Sequence, residues 1–113
     1  MNNNFDKYGF IKTDESENEM DHNEYYFEIE DNAKLQQFMN DHHISLDQFD
    51  TSDTEDTDEF SGLDFQLSVS KNGNISLEYG PVFYDSDEDT YTTVDVISCD
   101  IDGLDKYLHS LIQ

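Results

Sequence analysis

Two runs of alternating apolar and polar residues, separated by a short turn sequence, constrain the fold of this chain more than any other feature. The first run covers residues 63–69, the second covers residues 75–79, and Lys71-Asn72-Gly73 lies between them. Such alternation is typical of β-strands with one buried face. The apolar positions are Leu63, Phe65, Leu67 and Val69 in the first run and Ile75, Leu77 and Tyr79 in the second. The pattern predicts a β-hairpin.

The length of the hairpin loop decides which faces of the strands are buried. A two-residue Asn-Gly turn would place Val69 opposite Ser76, and the two apolar rows would lie on opposite faces. A three-residue loop places Val69 opposite Ile75 and keeps both rows on one face, with Gly73 as the left-handed residue of a type I turn plus bulge. We therefore predict the three-residue loop, which pairs Val69 with Ile75, Leu67 with Leu77 and Phe65 with Tyr79.

The segments before the hairpin predict a strand and a helix. Residues 24–30 alternate, which is typical of a half-buried strand. Asp31 or Asn32 can cap a helix that runs to about His42, and Ser45 can cap a short second turn. The apolar residues are Tyr25, Phe27 and Ile29 in the strand, Leu35, Phe38 and Met39 in the helix, and Leu46 and Phe49 in the turn.

The chain after the hairpin predicts a further strand of the same sheet. A four-residue loop of residues 86–89 would direct Val94 and Val96 toward the core, beside the hairpin. The same register makes Tyr84 and Tyr91 a cross-strand pair on the outer face.

The C-terminal part predicts a bend and a helix. Pro81 lacks an N–H, so we expect the strand around it to be an edge strand or bent. A helix of about ten residues follows, capped by Asp100 or Asp102. Its apolar stripe consists of Leu104, Tyr107, Leu108 and Leu111. These elements together predict an α+β fold, a small antiparallel β-meander of three to four strands with one or two helices on its apolar face.

The N-terminal part carries the weakest pattern. Residues 8–11 predict a short strand, and the polar residues 14–21 predict a mobile loop. We expect one acidic domain over residues 1–113, with residues 1–23 loosely ordered.

The charge of the chain limits its partners. Among 113 residues there are 28 Asp and Glu against five Lys and no Arg, so the formal net charge is -23. Lys and Arg drive binding to nucleic-acid phosphates, which excludes direct binding to DNA or RNA for this composition. Aromatic residues make up 13% of the chain, which favours a folded domain over an acidic disordered tail.

The sequence predicts a cytoplasmic protein. Cys99 is the only cysteine, so an internal disulfide is excluded. Residues 1–6 lack the basic and apolar regions of a signal peptide, and no apolar run approaches the ~20 residues of a membrane span. We expect no membrane contact, and the host cytoplasm as the location if a phage encodes the protein.

Carboxylates cluster in two segments that the predicted meander brings together. The first cluster is Asp50, Asp53, Glu55, Asp56, Asp58 and Glu59, and the second is Asp85, Asp87, Glu88 and Asp89. One segment leads into the hairpin and the other follows its second strand, so both leave the sheet opposite the 71–73 turn. We predict that these carboxylates bind a partner, together with Tyr84 and Tyr91 and with Phe60 nearby.

A calcium loop is the first alternative for the second cluster. Asp85-x-Asp87-x-Asp89 begins like an EF-hand loop. The match ends there, because Thr90 occupies the required Gly position and Val96 occupies the position of the bidentate Glu. We therefore predict no dedicated metal site.

Catalytic residues are not indicated either. The adjacent His42 and His43 would point about 100° apart on a helix and would not share a zinc ion. Acidic rather than basic residues surround Cys99, which disfavours a reactive thiolate. We predict no enzymatic activity and no cofactor.

The chain resembles phage and mobile-element DNA mimics in its size, its lack of Arg, its aromatic α+β core and its acidic runs at 50–59 and 85–89. These include anti-CRISPR inhibitors of Cas9-type nucleases, anti-restriction proteins and uracil-DNA glycosylase inhibitors. A globule of this length has a diameter of roughly 34 Å, and that length of duplex DNA carries about 20 charges. The resemblance implies an inhibitor that occupies the DNA channel or the PAM-reading Arg and Lys groups of a nuclease such as a Cas effector.

Two other hypotheses remain open. An immunity protein or antitoxin that neutralises a basic nuclease toxin would have one cognate partner, encoded beside it. A halophile-type solvated domain would have no dedicated charge partner, although the Asn-rich composition disfavours a halophilic origin.

Overall fold

A computed structural model describes residues 4–16, 22–30, 33–52, 54–55 and 57–112. In these residues the chain forms a six-stranded antiparallel sheet, two α-helices and two short 3₁₀ helices. The elements in chain order are a 3₁₀ helix (Asn4–Tyr8), β1 (Ile11–Ser16), β2 (His22–Glu30), α1 (Ala33–Asp41), a second 3₁₀ helix (Leu46–Gln48), β3 (Glu59–Ser70), β4 (Ile75–Asp85), β5 (Thr90–Thr93), β6 (Ile97–Ser98) and α2 (Leu104–Ser110).

The strands lie in the sheet in chain order, from β1 to β5, and β6 pairs with β4 beyond the end of β5. This arrangement confirms the predicted α+β meander with two helices. It has more strands than the three or four predicted, because the N-terminal segment and the segment after β5 also pair.

The hairpin of β3 and β4 has the predicted register. Val69 pairs with Ile75, Leu67 with Leu77 and Phe65 with Tyr79. The Gly73 N–H donates to the Ser70 carbonyl over 3.0 Å, and Gly73 has a φ of +92°. The three-residue loop with its left-handed glycine is therefore confirmed.

The core lies between one face of the sheet and the two helices. The predicted strand 24–30 lies within β2, and its Phe27 and Ile29 are buried. The helices contribute Leu35 and Phe38 from α1 and Leu104 and Leu108 from α2, all four fully buried. We call the opposite side of the sheet, which carries Glu28, Asp64, Tyr84 and Tyr91, the outer face.

The N-terminal segment differs from the prediction. Of the predicted strand 8–11, only Ile11 belongs to a strand, as the first residue of β1, because Tyr8 ends a 3₁₀ helix and Gly9 follows with a φ of +70°. Tyr8 packs edge-on against Phe38, with ring centroids 4.9 Å apart. Its hydroxyl donates to the Asp41 carboxylate over 2.5 Å. These contacts with α1 require a turn at this position that alternation does not reveal.

The predicted loop over residues 14–21 is also partly wrong. Asp14, Glu15 and Ser16 belong to β1 and pair with β2. The remaining residues, 17–21, lie outside the described part of the chain. The polar character of β1 reflects its place at the edge of the sheet, where five of its six residues are exposed.

The prediction that Val96 faces the core is wrong. The side chain of Val96 is 42% exposed, and Ile97 takes the position opposite Tyr79. The extra residue lies where the chain between β5 and β6 crosses Gly80, whose missing side chain leaves room for the Asp95 carbonyl. Pro81 lies next to this interruption, and its carbonyl accepts the Val94 N–H over 3.1 Å.

The predicted helix caps have mixed outcomes. Ser45 caps the second 3₁₀ helix as predicted, since its hydroxyl accepts the Asp47 N–H. Asp31 and Asn32 lie outside the described residues. The prediction that Asp100 or Asp102 caps the last helix is wrong, because a left-handed Gly103 precedes α2 without a side-chain cap. That helix is also shorter than predicted, and Leu111 lies beyond its end with 44% exposure.

Candidate functional site

The two acidic segments leave the sheet side by side, at the end opposite the 71–73 turn. Glu59 begins β3 and pairs with Tyr84, while Asp85 ends β4 and pairs with Thr90. We call the carboxylates of this end the acidic rim. Its members are Glu55, Asp58, Glu59, Asp85, Asp87, Glu88 and Asp89.

Carboxylates from both segments line one cleft on the core-facing side of this end. The cleft has a volume of about 350 Å³. Its lining is Glu55, Asp58, Phe83, Asp85, Glu88, Thr90, Thr92, Thr93 and Val94. The Asp58 carboxylate accepts the Glu55 N–H over 3.0 Å, which holds this part of the first segment in a turn. Four carboxylates around one cleft produce a region of strongly negative potential.

The second acidic segment is ordered by its own hydrogen bonds. The Asp85 carboxylate accepts the Asp87 N–H over 2.9 Å, and the Asp89 carboxylate accepts the Tyr84 hydroxyl proton over 2.6 Å. Asp89 has a φ of +54°, a left-handed conformation that Asp tolerates in turns. The loop therefore presents its carboxylates in a defined arrangement.

One predicted site residue, Asp50, lies apart from this arrangement, and two others cannot be placed in it or outside it. The Asp50 N–H donates to the Asp95 carboxylate over 2.8 Å, so Asp50 is anchored near the interruption between β5 and β6. Hydrogen bonds from Ser52 lower the pKa of Asp50. Asp53 and Asp56 lie outside the described residues.

Tyr84 and Tyr91 form the predicted cross-strand pair. Their ring centroids are 4.9 Å apart with the ring planes tilted by 42°. Tyr91 is 68% exposed, an unusual position for so large an aromatic side chain. The hydrogen bond to Asp89 raises the pKa of Tyr84, so its hydroxyl remains protonated at neutral pH.

The tyrosine pair forms one side of a groove on the outer face, which we call the tyrosine groove. Its volume is about 680 Å³. The lining residues are Glu28, Glu59, Phe60, Ser61, Val82, Tyr84 and Tyr91. The groove and the rim cleft lie on opposite sides of the same sheet end, because Phe83 and Tyr84 are successive residues of β4 and point to opposite faces.

Sequence reasoning missed Glu28, Ser61 and Val82 in this groove. Alternation does place Glu28 on the polar side of β2, which is a signal that could have been used. The pairing of β2 with β3, which sets Glu28 opposite Asp64, is a long-range feature that the local pattern does not contain.

The outer face carries further acidic groups away from the groove. Asp64 is partly buried there, and desolvation raises its pKa although the Thr93 hydroxyl donates to it over 3.2 Å. Glu24 accepts the Gln66 amide and the Tyr26 hydroxyl, while Glu78 is exposed. The negative charge of the rim therefore continues along the sheet.

Cys99 and His42, two other functional candidates in the sequence, are both partly buried in the structure. Burial raises the pKa of the Cys99 thiol to about 11, so the thiolate is scarce at neutral pH. His42 packs among aromatic rings, with its centroid 4.9 Å from that of Phe38. In the described part of the chain, no group of three or more His, Cys, Asp or Glu side chains could hold a metal ion.

Comparisons with known proteins give no relative for this chain: no family model, curated protein or solved structure matches it. No helix among the described residues is long and apolar enough to cross a membrane.

Proposed function

We propose that this protein is a DNA-mimic inhibitor that binds the basic DNA-binding groove of a nuclease or other DNA-processing enzyme. The observation that carries the proposal is the convergence of carboxylates from two separate segments on one cleft at the end of the sheet. Like charges destabilise a compact chain, and a partner with a basic groove gives a reason for holding them together.

The dimensions of the molecule agree with this function. Its longest axis is 43 Å, and duplex DNA of that length carries about 25 phosphate charges. The formal charge of the chain is -23. The protein thus offers a basic groove a charge similar to that of the DNA it replaces, without a phosphodiester bond that the enzyme could cut.

The proposed targets are enzymes that hold DNA in a positively charged channel. An effector of the Cas9 type reads its PAM with arginine side chains and holds the heteroduplex by its backbone. A carboxylate cluster at the rim could pair with such groups by charge-assisted hydrogen bonds. The protein would then act in the cytoplasm as an anti-CRISPR or anti-restriction inhibitor.

A matched pair of variants tests the proposal. One variant neutralises three exposed rim residues (Glu55→Gln, Asp87→Asn and Glu88→Gln), and the control neutralises three exposed carboxylates elsewhere (Asp47→Asn, Asp100→Asn and Asp102→Asn). The net charge of the two is equal. Inhibition is measured as loss of DNA cleavage by a Cas9-type nuclease and by a restriction nuclease, and as loss of uracil release by a uracil-DNA glycosylase.

We expect competition with DNA, and an inhibition constant that rises about tenfold or more for the rim variant and much less for the control. Equal losses in both variants would mean that only net charge matters and would contradict a rim site. If no enzyme of this panel is inhibited and a single basic nuclease toxin is neutralised instead, the protein is an immunity protein.

A further inference from the structure

The tyrosine groove combines aromatic faces with carboxylates in a way that the acidic rim does not. Tyr84 and Tyr91 form one wall, with ring centroids 4.9 Å apart. Glu28 and Glu59 also line the groove, together with Phe60 and Val82. From this geometry we infer that the groove receives an arginine side chain of the partner protein, an inference that rests on the proposed function.

The chemistry of the lining selects a cation. The face of a tyrosine ring attracts positive charge through its quadrupole. The two glutamates add formal negative charge at the same groove, and the molecule as a whole carries -23. A phosphate group or an acidic peptide would be repelled by the same surface.

The aromatic rings and carboxylates of the lining favour arginine over lysine. A guanidinium group is planar, stacks on aromatic rings and can donate two parallel hydrogen bonds to a carboxylate. A lysine ammonium is a compact and strongly hydrated charge that gains less from a ring face. Tyr91, at 68% exposure, presents an aromatic surface on which a planar group can stack.

The groove also suits an anchor residue at an interface. Binding hot spots are enriched in Trp, Tyr and Arg, and they pair across the interface. The groove lies on the same sheet end as the rim, so one partner surface could place an arginine in the groove while its other basic groups face the rim. The rim would then supply long-range attraction, and the groove would supply a specific contact.

The test uses the full chain and two peptides of equal charge, tetra-arginine and tetra-lysine, in about 0.15 M salt so that non-specific attraction is screened. Binding is followed by NMR chemical shifts. We expect tetra-arginine to bind about fivefold more tightly than tetra-lysine, with the largest shifts at Tyr84, Tyr91 and Glu59.

Matched variants localise the effect. Tyr91→Ala should abolish the preference for arginine, whereas Tyr91→Phe should retain it because the ring remains. Glu59→Gln should weaken arginine binding more than Glu78→Gln, which removes the same charge from β4 outside the groove. Equal affinity for the two peptides, or equal effects of the two glutamine variants, would overturn the inference.

The peptide-binding test and the test of the proposed function can fail independently of each other. If the rim variants lose inhibition but the peptides bind equally, the groove inference fails and the DNA-mimic proposal stands. If arginine binds the groove but no DNA-processing enzyme is inhibited, the groove is an arginine site for another basic partner.

Discussion

His42 illustrates how a titratable side chain can be built into an apolar cluster. Its ring lies near those of Phe38, Phe5 and Tyr8, with centroids 4.9, 5.9 and 6.0 Å away. Its Nε2 atom is buried and makes no hydrogen bond within the described residues. Desolvation lowers its pKa, an effect that neighbouring Lys7 and His43 reinforce and Asp41 opposes.

The direction of this shift fixes its effect on stability. The unfolded chain binds a proton at His42 near pH 6.5, whereas the folded chain binds it only at lower pH. The contribution of neutral His42 is therefore complete above about pH 6.5 and is lost as the pH falls through the folded pKa. We expect His42→Phe to lose less stability than the wild type between pH 7.5 and pH 5.5.

Urea unfolding at the two pH values measures this difference. The comparison with wild type is essential, because acidification also neutralises carboxylates throughout the chain. His43→Asn serves as the control: it removes an exposed imidazole and keeps a residue type that tolerates the φ of +57° at this position. A pH dependence of His42→Phe identical to that of wild type would contradict the role given to His42.

Cys99 gives a second prediction at the residue scale. Because burial raises its pKa to about 11, we expect it to react slowly with a disulfide reagent at pH 7 in the folded protein. Reaction should accelerate by orders of magnitude in urea, where the thiol regains an ordinary pKa. Rapid labelling of the folded protein would show a reactive thiolate and would contradict the protonated thiol expected here.

At the scale of elements, the chain between β5 and β6 crosses over Gly80, and this crossing determines how β4 pairs with the two short strands in succession. A Cβ atom at Gly80 would lie 1.6 Å from the Asp95 carbonyl oxygen. We expect Gly80→Ala to destabilise the fold by about 1–3 kcal/mol or more, because the backbone must move. Gly73→Ala is the comparison: its Cβ would meet no atom within 4 Å, and its cost comes from the φ of +92° alone.

Urea unfolding and amide NMR shifts distinguish the two glycine variants. For Gly80→Ala the shifts should spread over β4, the 94–96 segment and β6, while for Gly73→Ala they should remain at the hairpin turn. If Gly80→Ala leaves stability and the shifts of β6 unchanged, the close crossing does not shape this edge of the sheet.

The same two glycines show how far the sequence predicts the fold. Around Gly73, the loop length and the burial pattern together allow only one register, and that register is found. Around Gly80, alternation continues through Val96 as if the strand were regular. The bulge that brings Ile97 opposite Tyr79 depends on a contact between two strands, which local periodicity does not contain.

The candidate site likewise has some features that the sequence predicts and others that it does not. The pairing of Tyr84 with Tyr91 and the meeting of the acidic segments follow from the meander and its loop length, both of which are readable from the chain. The position of Glu28 in the tyrosine groove cannot be read from the chain in this way, because it depends on which strand flanks the hairpin. The backbone bond between the Asp50 N–H and the distant Asp95 carboxylate was not predicted either, because it joins two segments that lie far apart in the chain.

At the scale of the whole molecule, repulsion among carboxylates and the proposed attraction to a partner respond to salt in opposite ways. The chain carries -23 on a body measuring 43 × 34 × 20 Å. The Debye length is about 30 Å at 0.01 M salt and about 10 Å at 0.1 M. At low salt, most carboxylates therefore repel one another across the molecule, and this repulsion lowers the free energy of unfolding.

We expect added NaCl, from 0.01 to 0.5 M, to raise the Tm of the free protein while it weakens inhibition of the target. Screening removes the internal repulsion that opposes folding, and it equally removes the attraction that draws the protein to a basic groove. Sucrose is the control, because it stabilises folded proteins by exclusion without screening charge. The rim variant with three neutralised carboxylates should start with a higher Tm at low salt and gain less from NaCl than wild type. A Tm indifferent to NaCl would show that repulsion does not oppose folding, and inhibition indifferent to NaCl would show that the carboxylates do not provide the attraction to the target.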